Sequence, residues 1–240
     1  MIFAVFNPRS ICNKTAAVIS LLSDHDVDIC CIAESWLKKA DVAKHAEMKE
    51  LGYDIHSKPR TGRGGGVAII FKKSLSILKQ KTAKYKSFEC MESILKVSSP
   101  NCVVRIACVY RSGTPNAMSA NVPLFLEEFE DYISSFVNKS GIPLIMGDFN
   151  IHVENKGCST TSRFNEVILA HGWKQHVSSP THIGGGHLDL VLSHSSKYID
   201  SDVNKATMFP DVLLNCNLST SPIDISELNI SPTGTSSDHL

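Results

Sequence analysis

Short apolar runs rich in β-branched residues recur along the chain, separated by polar, turn-forming stretches. IFAVF at 2–6, VDICCIA at 27–33, GVAIIF at 66–71, CMESILKV at 90–97, CVVRIACVY at 102–110, PLIMGDF at 143–149, LDLVL at 188–192 and DVLLNC at 211–216 have the length and composition of buried strands. Helical spacing is rarer. It runs over 15–23 after Asn13, a candidate N-cap, over 122–137 as a longer amphipathic pattern, and over 162–171 up to Gly172, which suits a C-cap. Strands dominate the middle and end with few helices between them, which predicts two packed sheets flanked by helices and argues against a doubly wound parallel sheet. No repeat, linker or domain boundary interrupts residues 1–240, and 219–237, rich in Ser, Thr, Pro and Asn, reads as a long loop.

With 240 residues, 42% of them hydrophobic and 20% charged, the chain is long enough to bury a sizeable core as one large domain or two small ones, and the lack of a boundary favours one. The opening MIFAVF is apolar for six residues only, far short of a membrane span, and lacks the basic start of a signal peptide. The eight cysteines include no Cys-x-x-Cys pair and read as reduced core residues of an intracellular protein, which makes the Asn-x-Ser/Thr matches at Asn13, Asn138, Asn217 and Asn229 chance ones. Formal net charge is zero, but its distribution is uneven. Between Ser57 and Lys86 nine Lys and Arg residues occur with no acid, and beyond Ile199 six acids face Lys205 alone. Such asymmetry allows a local phosphate-binding face on a neutral protein, or a solvated strand surface.

Acids at strand ends carry the chemistry. CCIAESWL ends a buried strand in Glu34, and a carboxylate there costs desolvation energy unless a cation or hydrogen bonds compensate. PLIMGDFNIH repeats the arrangement, and strand alternation puts Asp148 and Asn150 on one face with Phe149 turned the other way. In GGHLDLVLS, Asp189 stands between Leu188 and Leu190, where an unpaired charge is expensive and a histidine is a candidate partner. Any one of these acids alone reads as a strand-end cap or a surface ion pair; their recurrence, with Asp238 and His239 added, weakens that reading. Together they fit metal-assisted attack of water on a phosphate ester. Mg2+ takes hard oxygen ligands, which suits Glu34 and Asp238, with Mn2+ as the alternative ion. Asp148 and Asn150 would hold the water, and His239 paired to Asp189 would accept a proton or contact the phosphate. Which of Asp148 and His239 is the base stays open.

In chain order, NPRSICNK, AESWL, GRGGGVAIIFK, CVYR, GDFNIH, SPTHIGGGHLDLVLS and SSDH resemble the signature blocks of the endonuclease/exonuclease/phosphatase superfamily. The blocks run from Asn7 to His239 and are more similar to the endonuclease domains of non-long-terminal-repeat (LINE-type) retrotransposons. The resemblance implies an α/β fold, a four-layered sandwich of two mostly antiparallel sheets packed face to face and flanked by helices. It also implies Mg2+-dependent nicking of DNA that exposes a 3′-hydroxyl to prime reverse transcription. By the same resemblance Asn7 and Glu34 help hold metal and phosphate, Tyr110 hydrogen-bonds the scissile phosphate with Arg111 beside it on substrate, and Asp148 and Asn150 position the nucleophile. Asp189 would orient His239, Asp238 would complete the metal site, and Thr181 and Ser237 match positions that approach substrate. The implied partners are DNA, in the nucleus, and a reverse transcriptase domain in the full-length element, with no membrane. Glu34-Ser35-Trp36-Leu37 differs from the Glu-Thr-Lys-like run of abasic-site repair enzymes, and Ser112 and Gly113 stand where retroelement domains commonly have prolines.

Domains of this kind continue past Asp-His into one more apolar strand, whereas Leu240 alone follows His239 here, so the expectation is a domain without its final strand and a frayed His239. The alternative functions are a catalytically inactive remnant that binds nucleic acid weakly, and an abasic-site repair endonuclease of the same superfamily. His182 and His187 flank the glycines at 184–186 and read as surface residues of a hairpin, since no third ligand of matching kind is near. Gly64, Gly65 and Gly66 lack the Lys-Ser/Thr and helix of a nucleotide loop and read as opening a strand, with Arg60 and Arg63 available to backbone phosphates. Trp36 and Trp173 read as packing residues.

Overall fold

The apolar runs assemble into two sheets that share one core. The computed structural model describes residues 1–59, 64–96, 103–113, 121–194 and 212–215. In chain order the elements are β1 (Ile2–Phe6), α1 (Thr15–Asp24), β2 (Ile29–Ala33), α2 (Val42–Glu50), β3 (Tyr53–Ser57), β4 (Val67–Lys72), β5 (Ser76–Lys84) and β6 (Glu89–Lys96). They are followed by β7 (Val103–Tyr110), α3 (Val122–Val137), β8 (Ile142–Asp148), α4 (Ser159–Ala170), β9 (Trp173–Gln175), β10 (Asp189–His194) and β11 (Val212–Asn215). One sheet has the order β11-β1-β2-β4-β3 and the other β5-β6-β7-β8-β10-β9. Neighbours are antiparallel except for the parallel pairs β1–β2 and β7–β8.

Period-2 alternation divides each sheet's side chains between two cores. Phe3, Val5, Cys31 and Ile69 of the first sheet meet Met91, Ile106, Cys108, Met146 and Val191 of the second in the central layer. The odd-numbered face of one sheet is thereby spent on the other. Ala4, Phe6, Cys30, Ile32 and Ile70 turn outward under Val18, Ile19 and Leu22 of α1 and Met48 of α2. Cys90, Val109, Ile145, Leu190 and Leu192 turn outward under Phe125, Phe129, Ile133, Phe164 and Ile168 of α3 and α4. The result is an α/β sandwich of two mostly antiparallel sheets with helices on both outer faces, as the strand count and the resemblance predict.

α3 matches its sequence pattern from end to end. Asn121 caps it by accepting from Leu124 N–H at 3.1 Å, a bond worth about 1 kcal/mol, and a proline occupies its first turn, where the missing N–H is not needed. Its aromatic face stacks Phe125 and Phe129 against Phe164 and sets Phe129 edge-on to Phe149, the residue between Asp148 and Asn150. Four elements escape the sequence pattern. α2 buries little beyond Met48, β3 is five residues with only Tyr53 and Ile55 inward, and β9 is three residues long. β5 is an edge strand bulged between Ile77 and Lys79, whose lysines break any apolar alternation. α1 starts at Thr15 with its cap position at Lys14, one residue beyond the N-cap expected at Asn13, and no side-chain bond there. No helix among the described residues is long and apolar enough to cross a membrane.

Gly147 sets how closely the parallel pair β7–β8 approaches. A Cβ at this position would lie 1.8 Å from the Val109 carbonyl oxygen, in the strand that delivers Asp148 one residue later. Gly147→Ala should therefore destabilise the fold by about 3 kcal/mol or more, because backbone and not a flexible side chain must move. A thermal melt reads this directly, and a melting temperature equal to that of the unsubstituted protein would contradict it.

Candidate active site

The rows of apolar side chains between the sheets run out, at one end of the sandwich, into polar residues of the same parity. Phe3 and Val5 are followed by Asn7, Ile106 and Cys108 by Tyr110, and Leu144 and Met146 by Asp148; Val191 is preceded by Asp189. Tyr110 lies opposite Asp148 across β7–β8, and Asp148 opposite Asp189 across β8–β10. Three strands of one sheet therefore present Tyr110, Asp148 and Asp189 side by side, and β1 of the other sheet brings Asn7 over them. Glu34 arrives differently. It follows β2 with φ +52°, a left-handed conformation that ends the strand alternation.

Asn7 joins these groups. Its Nδ2 donates to Glu34 Oε1 at 3.2 Å and to Asp148 Oδ2 at 2.7 Å, while its Oδ1 accepts from the Arg9 N–H at 3.1 Å. The second Asp148 oxygen accepts from the Asn150 backbone N–H at 2.9 Å, and the second Glu34 oxygen from the Trp36 indole at 3.1 Å. Burial raises the Asp148 carboxyl from the ordinary 3.8 to about 7; the hydrogen bonds from Asn7 and Asn150 oppose the rise, and the charge of Glu34 adds to it. Desolvation wins because the group is only 4% exposed. Burial first and the charge of Glu34 next push the Tyr110 phenol upward, so its hydroxyl stays protonated as a donor at neutral pH.

A second tier holds the loops. The Arg111 guanidinium lies over the Phe125 ring at 5.2 Å and donates to the carbonyls of Phe149 (3.3 Å) and Asn150 (3.0 Å); the Arg111 carbonyl in turn accepts from Asn150 Nδ2 at 2.7 Å. Arg111, expected on substrate, is thus buried behind the Asn150 loop and does not line the cleft. Thr181 Oγ1 accepts from the backbone N–H groups of Leu188 and Asp189, both at 3.0 Å, and so fixes the start of β10. Asn7, Arg9, Glu34, Asp148, Asn150, Thr181, His182, Leu188 and Asp189 line one open cleft. Arg9 and His182, which meet at 3.5 Å across it, and the Trp36 bond to Glu34 carry no motif signal beyond their neighbours; position alone reveals them. Ser237, Asp238 and His239 lie outside the described residues, as do the long loop at 219–237 and Arg60 and Arg63.

The donors fit a hard cation. Two carboxylates, one of them buried, converge on a single amide, and a positive charge between them would relieve both the desolvation of Asp148 and its repulsion from Glu34. Among the described residues no three His, Cys, Asp or Glu side chains form a metal cage, which Mg2+ does not require, since it keeps several waters and takes one or two carboxylates. The basic stretch is divided. Lys72 pairs with Asp26 (2.6 Å) and Asp28 (2.9 Å) at the end of β4 remote from Glu34, and Lys58 donates to the Ala83 carbonyl at 3.2 Å. Lys79 and Lys81 stand exposed on the edge strand β5, where charge opposes edge-to-edge pairing.

The sequence profile of the Endonuclease/Exonuclease/phosphatase family matches residues 7–239. No curated protein matches the sequence. Solved structures of similar fold include a mannosyl-6-phosphatase of Bacteroides thetaiotaomicron, with 13% identity over 82% of this chain and 86% of that one and a TM-score of 0.60. A 3′-5′ exonuclease of Neisseria meningitidis gives 16% identity, 82% and 88% coverage and a TM-score of 0.60. D. rerio TDP2 complexed with single-strand DNA product gives 10%, 81% and 84%, and 0.59. At these identities the likeness is one of fold.

The raised Asp148 carboxyl has a signed consequence for stability. Without a divalent cation the folded protein keeps a proton that the unfolded chain releases above 3.8, so this group's contribution to stability is lost as pH rises from about 4 to about 7, on the order of a few kcal/mol. In EDTA, Asp148→Asn should melt progressively higher than the unsubstituted protein as pH rises through this window. A constant gap between the two melting curves would contradict the burial account.

Proposed function

Because the chain belongs to the endonuclease/exonuclease/phosphatase family, we propose that the open inter-sheet cleft hydrolyses a phosphodiester of DNA, a Mg2+-dependent nick of the kind that primes reverse transcription of a retrotransposon. The observation that carries this reading is the convergence of Asn7, Glu34, Asp148, Asn150 and Asp189, from strand ends far apart in sequence, on one cleft. All five offer oxygen or amide groups suited to a phosphate, an attacking water and a hard cation.

Glu34 and Asp238 would hold Mg2+, with Asn7 orienting the acid pair. Bound there, Mg2+ or Mn2+ would supply Lewis-acid polarisation of a phosphoryl oxygen and stabilise the leaving oxygen. Asp148, with a proton affinity near neutrality, orients the attacking water from a position fixed by Asn7 and by the Asn150 N–H. Asn150 donates to the developing charge on the phosphate oxygens, and the protonated Tyr110 hydroxyl adds a donor from the neighbouring strand. Asp189, fixed through Thr181, would hold the tautomer of His239, and Ser237 would contact substrate, as the resemblance implies for these two positions. The retroelement assignment is supported by the Ser-Pro-Thr-His and Leu-Asp-Leu-Val-Leu runs, whose Thr181 and Asp189 meet in the cleft, and it makes DNA and a reverse transcriptase domain the partners, in the nucleus.

Supercoiled plasmid tests the reading. Nicked circles should form with Mg2+, fail to form in EDTA, and form at least about 100-fold more slowly with Asp148→Ala. Relaxation without metal, an unaffected Asp148→Ala variant, or hydrolysis of a phosphomonoester with no nicking would each remove it.

A further inference from the structure

We infer that Trp36 is a positioning residue for Glu34: its indole N–H holds one carboxylate oxygen while Asn7 holds the other, fixing the orientation in which Glu34 meets a divalent cation. The inference rests on the cation reading of the cleft given above. It starts from the backbone. Glu34 and Trp36 both adopt left-handed conformations, with φ of +52° and +55°, which bulky L-residues avoid unless surrounding bonds over-determine them. Those bonds are present. The Glu34 and Ser35 carbonyls accept from the N–H groups of Ser10 (2.9 Å) and Ile11 (3.1 Å), and the Ser35 and Trp36 N–H groups donate to Gly66 and Gly65 (both 3.0 Å). The Cys12 thiol donates to the Trp36 carbonyl at 3.4 Å.

The geometry has a purpose that an extended chain cannot serve. In a strand, residues two apart lie roughly 6.6 Å from each other and their side chains run parallel. The turn at Glu34-Ser35-Trp36 instead brings the indole nitrogen to 3.1 Å from Glu34 Oε2. Ser35 and Leu37 on either side are fully buried, whereas Trp36 is only partly so; Leu37 anchors this segment in the core, and the Trp36 indole N–H reaches the carboxylate. A glutamate side chain has three rotatable bonds, and a donor on each oxygen removes the freedom that cation binding would otherwise have to remove.

Trp36→Phe keeps an aromatic ring and deletes the N–H. Calorimetric titration with MgCl2, at a temperature well below the melt in EDTA, should show about 10- to 100-fold weaker binding than the unsubstituted protein, the range expected when a group that orients a metal ligand is lost. The melting temperature in EDTA should stay close to that of the unsubstituted protein, excess Mg2+ should restore nicking, and the indole emission that responds to Mg2+ should be absent from the variant. Equal Mg2+ affinity in the two proteins, with or without a fall in melting temperature, overturns the inference and leaves the cation reading standing. If the unsubstituted protein itself binds no Mg2+, the cation reading falls and this inference with it. Should Trp36→Phe not fold, benzothienylalanine at position 36, which keeps the indole's shape without its N–H, makes the same comparison.

Discussion

One amide nitrogen, Nδ2 of Asn7, holds together two acids that belong to different sheets, Glu34 beyond β2 and Asp148 at the end of β8. The constraint behind it is electrostatic. Two carboxylates brought together at the mouth of an apolar core repel each other and lose water, and a neutral amide with two N–H groups compensates only in part. Asp148 measures the remainder, since its two hydrogen bonds do not offset burial and the carboxyl stays near 7. A site left in that condition favours added positive charge, and a cation with oxygen preference would supply it.

The rest of the molecule keeps that condition in place. The central core is built from strand residues of one parity, and the polar cluster is the continuation of the same rows past the last apolar position. Loops that must leave the sheets at this point are bent sharply and then fixed. Of the six non-glycine residues with positive φ among the described residues, Arg9, Ser10, Glu34, Trp36 and Asn150 all belong to these loops, and only Asp26 lies elsewhere. Arg111 and Thr181 hold the loops from behind, one through carbonyls and one through N–H groups. Unfavourable backbone geometry is thus concentrated where side chains must be aimed, and over-determined by hydrogen bonds from several elements.

Much of this is legible in the sequence because burial writes a strong pattern. Eight apolar runs give strands of both sheets, and an acid ending or interrupting such a run is conspicuous because its charge has no reason to be there without a partner; Glu34, Asp148 and Asp189 are found in this way and all line the cleft. Elements that bury little leave little pattern, which is why β5, β9 and α2 are not visible. Glu92, buried in β6, escapes notice for a different reason: its partners Arg105 and Lys139 come from β7 and from beyond α3, and no local spacing announces them. Within the basic stretch Lys72 is hidden for the same reason in reverse, since it is paired with Asp26 and Asp28 more than forty positions away in sequence. Trp36 reads as packing because tryptophan usually packs; only the left-handed turn at Glu34 turns its N–H to a carboxylate.

The central claim is that a divalent cation belongs between the acids that Asn7 ties together. Anomalous diffraction from crystals soaked in Mn2+ tests it most directly, because the scattering locates the ion without reference to activity. The account predicts one strong peak within coordination distance of a Glu34 carboxylate oxygen, on the cleft side of Asn7. Mn2+ bound instead beside His152, Glu154 and His187, with nothing at Glu34, would contradict it.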